Sequence, residues 1–234
     1  MYVRFTDKDY SLRKPAPEYE RIKSIETLCL AAGKVKPNLK TYVVCAGLLY
    51  GEGEAFLSEY FMQARLQRPQ ALPVYGKGKN RIPTVHVADL ITYVEKVIQK
   101  KPDLPYLLAL DHNPKPTQRK IIEAISKGIG TGLVQSVEPD QANPFIGELT
   151  LNLRIKPSSI FMKIEEEEAA IEVEEGSEVV KFKFDWHSKD GIQKTIEMLR
   201  QEFNRVNKLS QQKIFVMGPP GSGKTYYTTE YRCF

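Results

Sequence analysis

Eight consecutive residues constrain this chain more than any others: Gly218-Pro219-Pro220-Gly221-Ser222-Gly223-Lys224-Thr225. They complete the glycine-rich pattern in which a backbone loop turns its N–H groups inward around a phosphate. The glycines allow the tight turn, and the helix that follows such a loop aims its positive end at the same oxygens. In that pattern Gly218, Gly221, Ser222 and Gly223 shape the cradle. Lys224 reaches the β- and γ-phosphates, and Thr225 places a hydroxyl on Mg²⁺. The apolar run Lys213–Met217 supplies the strand that such a loop requires in front of it. ATP with Mg²⁺ is therefore the ligand expected there.

A loop of this kind belongs to an α/β fold, and the preceding sequence reads the same way. Ile22, Ile25, Leu28, Cys29 and Ala32 recur at helical spacing, with Gly33 placed to end the helix. Thr41–Cys45 is a β-branched run, and Ala55–Leu66 a second helix. Asp89 is placed to cap a third, with Leu90, Val94, Val97 and Ile98 on one face. Tyr106–Leu110 reads as a strand, and Thr117 opens a helix through Ile121, Ile122 and Ile125 that closes near Gly128 or Gly130. Leu149–Ile155 and Ile160–Ile164 read as further strands, Val179–Phe184 as another, and Ile192–Val206 as an amphipathic helix. Strand alternating with helix implies a parallel sheet, but with too few strands for a complete domain.

Composition excludes several classes of function. No apolar run approaches the roughly 20 residues that cross a bilayer, and the first residues lack the apolar core of a secretion signal. No membrane contact and a cytoplasmic setting are expected. Cys29, Cys45 and Cys233 lie too far apart for a disulfide framework or a zinc spacing. The net charge of +5 conceals a Glu-rich stretch, residues 165–178, that leaves the remaining chain strongly basic. The basic residues form no Arg-rich run, so no nucleic-acid partner is expected. The Glu-rich stretch reads as a solvated loop or hairpin tip. His86, His112 and His187 are dispersed and read as structural.

Tyr19-Glu20-Arg21-Ile22-Lys23 opens a helix, followed by a strand and then Leu49-Tyr50-Gly51-Glu52-Gly53. Further on comes Ile82-Pro83-Thr84-Val85-His86-Val87-Ala88-Asp89-Leu90. This order resembles the extended short-chain dehydrogenases and epimerases. Their catalytic Tyr and a Lys four residues on share a helix face, which would make Tyr19 and Lys23 vestigial catalytic candidates. The spacing alone is weak, since Tyr10/Lys14 and Tyr75/Lys79 repeat it. The glycine-rich dinucleotide fingerprint is absent ahead of Tyr19, and Cys45 stands where that family usually has Arg. NAD(P) is therefore not expected, and no catalytic residue is expected to be active.

The subtype of the phosphate loop resembles that of adenylate kinases and other nucleoside monophosphate kinases. Both resemblances together, in this order, resemble the long adenylate kinases of motile cilia and flagella. On that reading, residues 1–206 are a degenerate dehydrogenase-like domain, an incomplete Rossmann-like parallel sheet with helices, with the Glu-rich stretch inserted. Residues 207–234 begin a phosphate-loop kinase domain, and with nine residues after Thr225 the chain alone is expected to be inactive. The resemblance implies a setting in the axoneme of the cilium or flagellum. It implies axonemal partners such as tubulin or a radial-spoke or central-apparatus complex. It also leaves a second reading open, a nucleoside monophosphate kinase whose remaining residues lie outside this chain.

Overall fold

The computed structural model describes residues 5–112, 116–140, 143, 145–168, 172–175, 178–181, 187, 191 and 196–210. The elements, in chain order, are α1 (Glu20–Val35), β1 (Val43–Ala46), β2 (Leu48–Tyr50), α2 (Ala55–Leu66), β3 (Leu72–Tyr75) and β4 (Thr84–His86). They continue with α3 (Val87–Lys100), β5 (Tyr106–Ala109), α4 (Gln118–Ile129), β6 (Val134–Val137) and α5 (Ile146–Thr150). The last are α6 (Ser159–Glu168), β7 (Glu172–Glu175), β8 (Glu178–Lys181) and α7 (Ile196–Ser210). The fold is α/β, as the alternation of strand and helix implied.

Its sheet strands run parallel in pairs: β1 with β5, β2 with β4, and β3 with β6. One stretch of backbone supplies both β1 and β2, and it changes partner at Gly47. The Gly47 N–H donates to the Ala109 carbonyl at 3.0 Å, whereas the next amide, Leu48, donates to the Pro83 carbonyl at 2.9 Å. The Asp111 N–H then donates to the Thr84 carbonyl at 2.7 Å, so β4 enters between β2 and the continuation of β5. The crossing is tight. A Cβ at Gly47 would stand 2.9 Å from both the Pro83 oxygen and the Thr84 carbonyl carbon, closer than real side chains approach backbone.

Two larger clusters of buried side chains lie on this framework. Phe56, Leu57, Tyr60 and Phe61 of α2 meet Leu72 and Val74 of β3, Ile121, Ile122 and Ile125 of α4, and Leu199 of α7. Tyr93 and Val97 of α3 meet Val85, Leu107 and Ala109 of the strands and Phe161 and Ile164 of α6. A smaller one joins Leu30 of α1 to Tyr106, Leu108 and Leu110. Helix α1 gives the core little else. Ile22, Ile25 and Leu28 are 52%, 57% and 69% exposed, so its apolar stripe faces outward.

Four expectations need correction. Gly33 does not end α1, which runs on to Val35; a Cβ at Gly33 would lie 2.3 Å from Thr41 Oγ1, so the glycine permits a close approach instead. Asp89 does not cap α3: His86 is the N-cap, accepting the Ala88 N–H at Nδ1, and Asp89 is buried in the first turn. The strands expected at Leu149–Ile155 and Ile160–Ile164 are not strands. Leu149 belongs to the short helix α5, and residues 160–164 to α6. Ser158, Phe161, Ile164 and Glu165 are the buried positions there, a spacing of three and four that fits a helix and not a strand. The Glu-rich stretch is not solvated throughout, because Glu165 is 1% exposed; its later part does form the antiparallel hairpin β7–β8.

Candidate functional site

In open α/β sheets, ligands are met outside the carboxyl ends of the strands. Here those ends carry titratable and hydroxylic side chains: Tyr50 closes β2, His86 closes β4, and Asp111 follows β5 by two residues. Asp89 and Tyr93 reach the same region from the first two turns of α3, and Glu165 from α6. All six are buried.

They are bound largely to one another. The Thr84 hydroxyl donates to Asp111 Oδ2 at 2.7 Å. The Tyr93 hydroxyl donates to Glu165, and His112 Nε2 lies 3.4 Å from the same carboxylate oxygen. His187 Nδ1 and Asp89 Oδ1 are 2.8 Å apart. The His187 ring lies flat on the His86 ring at 3.8 Å, and Tyr50 meets His86 edge-on at 5.1 Å. Burial pushes the Asp111 carboxyl well above the usual carboxylate range. Hydrogen bonds from Thr84 and Tyr50 oppose the shift, while the like charges of Asp89 and Glu165 add to it.

His86, Asp89 and His187 each place a potential ligand atom within 4.8 Å of the others, a two-His, one-carboxylate set. Imidazole lone pairs lie in the ring plane, so two rings stacked 19° from parallel do not aim at a common point. The arrangement suits contact and charge pairing better than coordination. Chemically, the network fixes the strand ends to α3 and α6 with its own side chains.

The dehydrogenase-like candidates lie elsewhere. Tyr19 precedes α1 and is 45% exposed, its hydroxyl donating to Glu148 Oε1 at 3.1 Å. Lys23 donates its ammonium to the Arg13 carbonyl. Tyr19 stands just ahead of α1 and Lys23 in its first turn, and the two direct their polar ends to different partners. The phosphate-loop candidates, Gly218, Gly221, Ser222, Gly223, Lys224 and Thr225, lie outside the described residues, as do the strand Lys213–Met217 and Cys233.

Sequence reasoning did not single out Asp111, Glu165, Tyr50 or Tyr93. For Glu165 a signal was present in the helical spacing of Ser158, Phe161, Ile164 and Glu165. For Tyr50 and Asp111 the signal is only a polar residue at or just past the end of an apolar strand, and for Tyr93 only its place on the apolar face of α3. The three dispersed histidines converge on the network because His86 ends β4, His112 follows β5, and His187 packs against His86 and Asp89 there.

No family model matches the chain. It is 32% identical to adenylate kinase 7 of Mus musculus over 235 residues, 97% of this chain and 35% of that protein. It is also 32% identical to adenylate kinase 7 of Macaca fascicularis over 212 residues, 88% of this chain and 36% of that one. The chain thus spans about a third of the length of these curated relatives. Among solved structures it resembles a dTDP-glucose 4,6-dehydratase from Bacillus anthracis in complex with NAD. That match has a TM-score of 0.58 and 16% identity, over 88% of this chain and 56% of that one. It also resembles the human epimerase family protein SDR39U1 with NADPH, with a TM-score of 0.55 and 11% identity, over 85% and 60% of the two chains. At such identities these likenesses establish a Rossmann-like dehydrogenase and epimerase fold and nothing about activity.

Proposed function

We propose, from the premise that this chain is a relative of adenylate kinase 7, that its Rossmann-like body is a docking scaffold of an axonemal, adenylate-kinase-type protein and performs no hydride chemistry. The observation that carries this reading is the separation of Tyr19 from Lys23, whose polar ends go to Glu148 and the Arg13 carbonyl. A Tyr and Lys acting on a carbonyl substrate would have to face one reacting centre together. The outward apolar stripe of α1, Ile22, Ile25 and Leu28, gives the scaffold a surface on which to seat axonemal proteins such as tubulin or a radial-spoke or central-apparatus component. ATP and Mg²⁺ would meet only the loop Gly218–Thr225.

The second reading, a nucleoside monophosphate kinase converting ATP and AMP to two ADP with residues beyond this chain, is favoured by that loop sequence. Expression of the tagged chain in ciliated cells separates the two. A docking body requires that an Ile25→Glu, Leu28→Glu variant be lost from detergent-extracted axonemes while Lys224→Ala is retained. Retention that depends on Lys224 and not on the α1 stripe would reject the scaffold in favour of a nucleotide-dependent role.

A further inference from the structure

On the face of β1 and β5 that carries α1, the short 3-10 turn Asp7–Leu12 and the start of α1 enclose a cleft of about 570 Å³. That volume is in the range of small-molecule sites, roughly 300–1,000 Å³. Its walls are apolar, formed among others by Leu12, Ile22, Leu108, Leu153 and Ile155. Among the polar lining residues, Tyr106, Cys45 and Arg13 stand together, while Asp9 and Lys14 contribute one charge of each sign.

Tyr106 is 2% exposed, and its hydroxyl has no hydrogen-bond partner of ordinary geometry; only the Cys45 thiol lies beside it. Its ring is held by Tyr10, stacked at 4.8 Å and 13° from parallel. A buried hydroxyl with only a thiol beside it is poorly satisfied, and an acceptor oxygen placed in the cleft would satisfy it. The Arg13 guanidinium stands 3.8 Å from Cys45 Sγ and is paired on its other side with Glu26. Because Glu26 matches the charge of Arg13, and Asp9 and Lys14 in the lining oppose one another in sign, the cleft calls for an uncharged acceptor and not for an anion. An apolar body, one acceptor oxygen and no net charge describe a neutral carbonyl compound.

We propose that this cleft binds neutral, apolar carbonyl compounds, with Tyr106 donating to the carbonyl oxygen, and that Cys45 captures the α,β-unsaturated members covalently. In that capture the sulfur bonds to the β-carbon and the carbon–carbon π bond breaks. Its electron pair passes through the enolate to the α-carbon, which takes up the proton equivalent that the thiol gave up. No atom is lost and no external oxidant or reductant is needed.

The test uses trans-2-nonenal on the whole chain, with adducts quantified by peptide mass spectrometry over time. Cys29 serves as the internal reference: it is also half-buried, but its sulfur lies against the Tyr42 carbonyl. The expected result is a Cys45 adduct forming at least tenfold faster than the Cys29 adduct. An excess of the saturated analogue nonanal should slow labelling at Cys45 alone. Tyr106→Phe, which keeps the stacked ring, should slow Cys45 labelling severalfold with thermal unfolding unchanged. Equal or absent labelling of the two cysteines, no protection by nonanal, or an unaltered rate in Tyr106→Phe would each overturn the proposal.

Discussion

The Thr84 hydroxyl donates to Asp111 across 2.7 Å, holding the first residue of β4 to the continuation of β5 around a carboxyl that burial keeps above its usual range. In the unfolded chain the same carboxyl titrates near the ordinary value of about 4. As pH rises past that value, the unfolded state releases the proton before the folded state does. Stability from this group is therefore greatest in acid and falls as pH climbs toward the raised folded value. Asp111→Asn keeps an acceptor for Thr84 and removes the titration. Its unfolding temperature should exceed that of the wild type by a margin that is small near pH 4.5 and wider at pH 8. A margin independent of pH would contradict the shift.

Where β1 and β2 change partner, the backbone of β4 leaves no room for a methyl group. Gly47→Ala should cost about 1–3 kcal/mol, the range for an overpacked interior. Chemical denaturation would reveal it as a lower midpoint with an unchanged slope.

Helix α1 offers a contrast between its two faces. Leu30→Ala, at a position 8% exposed, should lose about 2–4 kcal/mol of stability. Ile25→Ser, at a position 57% exposed, should change stability by less than about 0.5 kcal/mol. The same Ile25→Ser change should reduce self-association at high concentration, as read by light scattering, because it interrupts the exposed stripe.

Nicotinamide dinucleotides should not bind. Titration calorimetry with NADP is expected to give no isotherm tighter than about 100 μM, roughly −5.5 kcal/mol. A tighter isotherm would revive the dehydrogenase reading of Tyr19 and Lys23.

The legibility of the fold followed the kind of signal that each element carries. Helix α2 was readable to its ends, and α4 to within a residue, because apolar residues recur at helical spacing in both and Thr117 and Gly130 flank α4. Residues 158–165 misled because Ile160, Phe161 and Ile164 look β-like in composition, while burial follows positions three and four apart. The role of Gly33 was hidden for another reason: it depends on Thr41, and sequence spacing cannot announce that contact. The polar network was the least legible part. Thr84 with Asp89, Asp111, Glu165 and His187 come from four separate stretches of chain that only the fold brings together.

The handover at Gly47 also bears on how the molecule opens. Adjacent amides of one strand are held by two different neighbours, Gly47 by Ala109 and Leu48 by Pro83, and the strands of both neighbours pack through Val85 and Ala109 into one set of buried side chains. Neither pairing can open without disturbing that shared set. Amide protons at 43–50, 84–86 and 106–109 should therefore exchange with solvent as one cooperative unit, at a common and slow rate. The exposed turns of α1, tied to the body chiefly through Leu30, should exchange ahead of them.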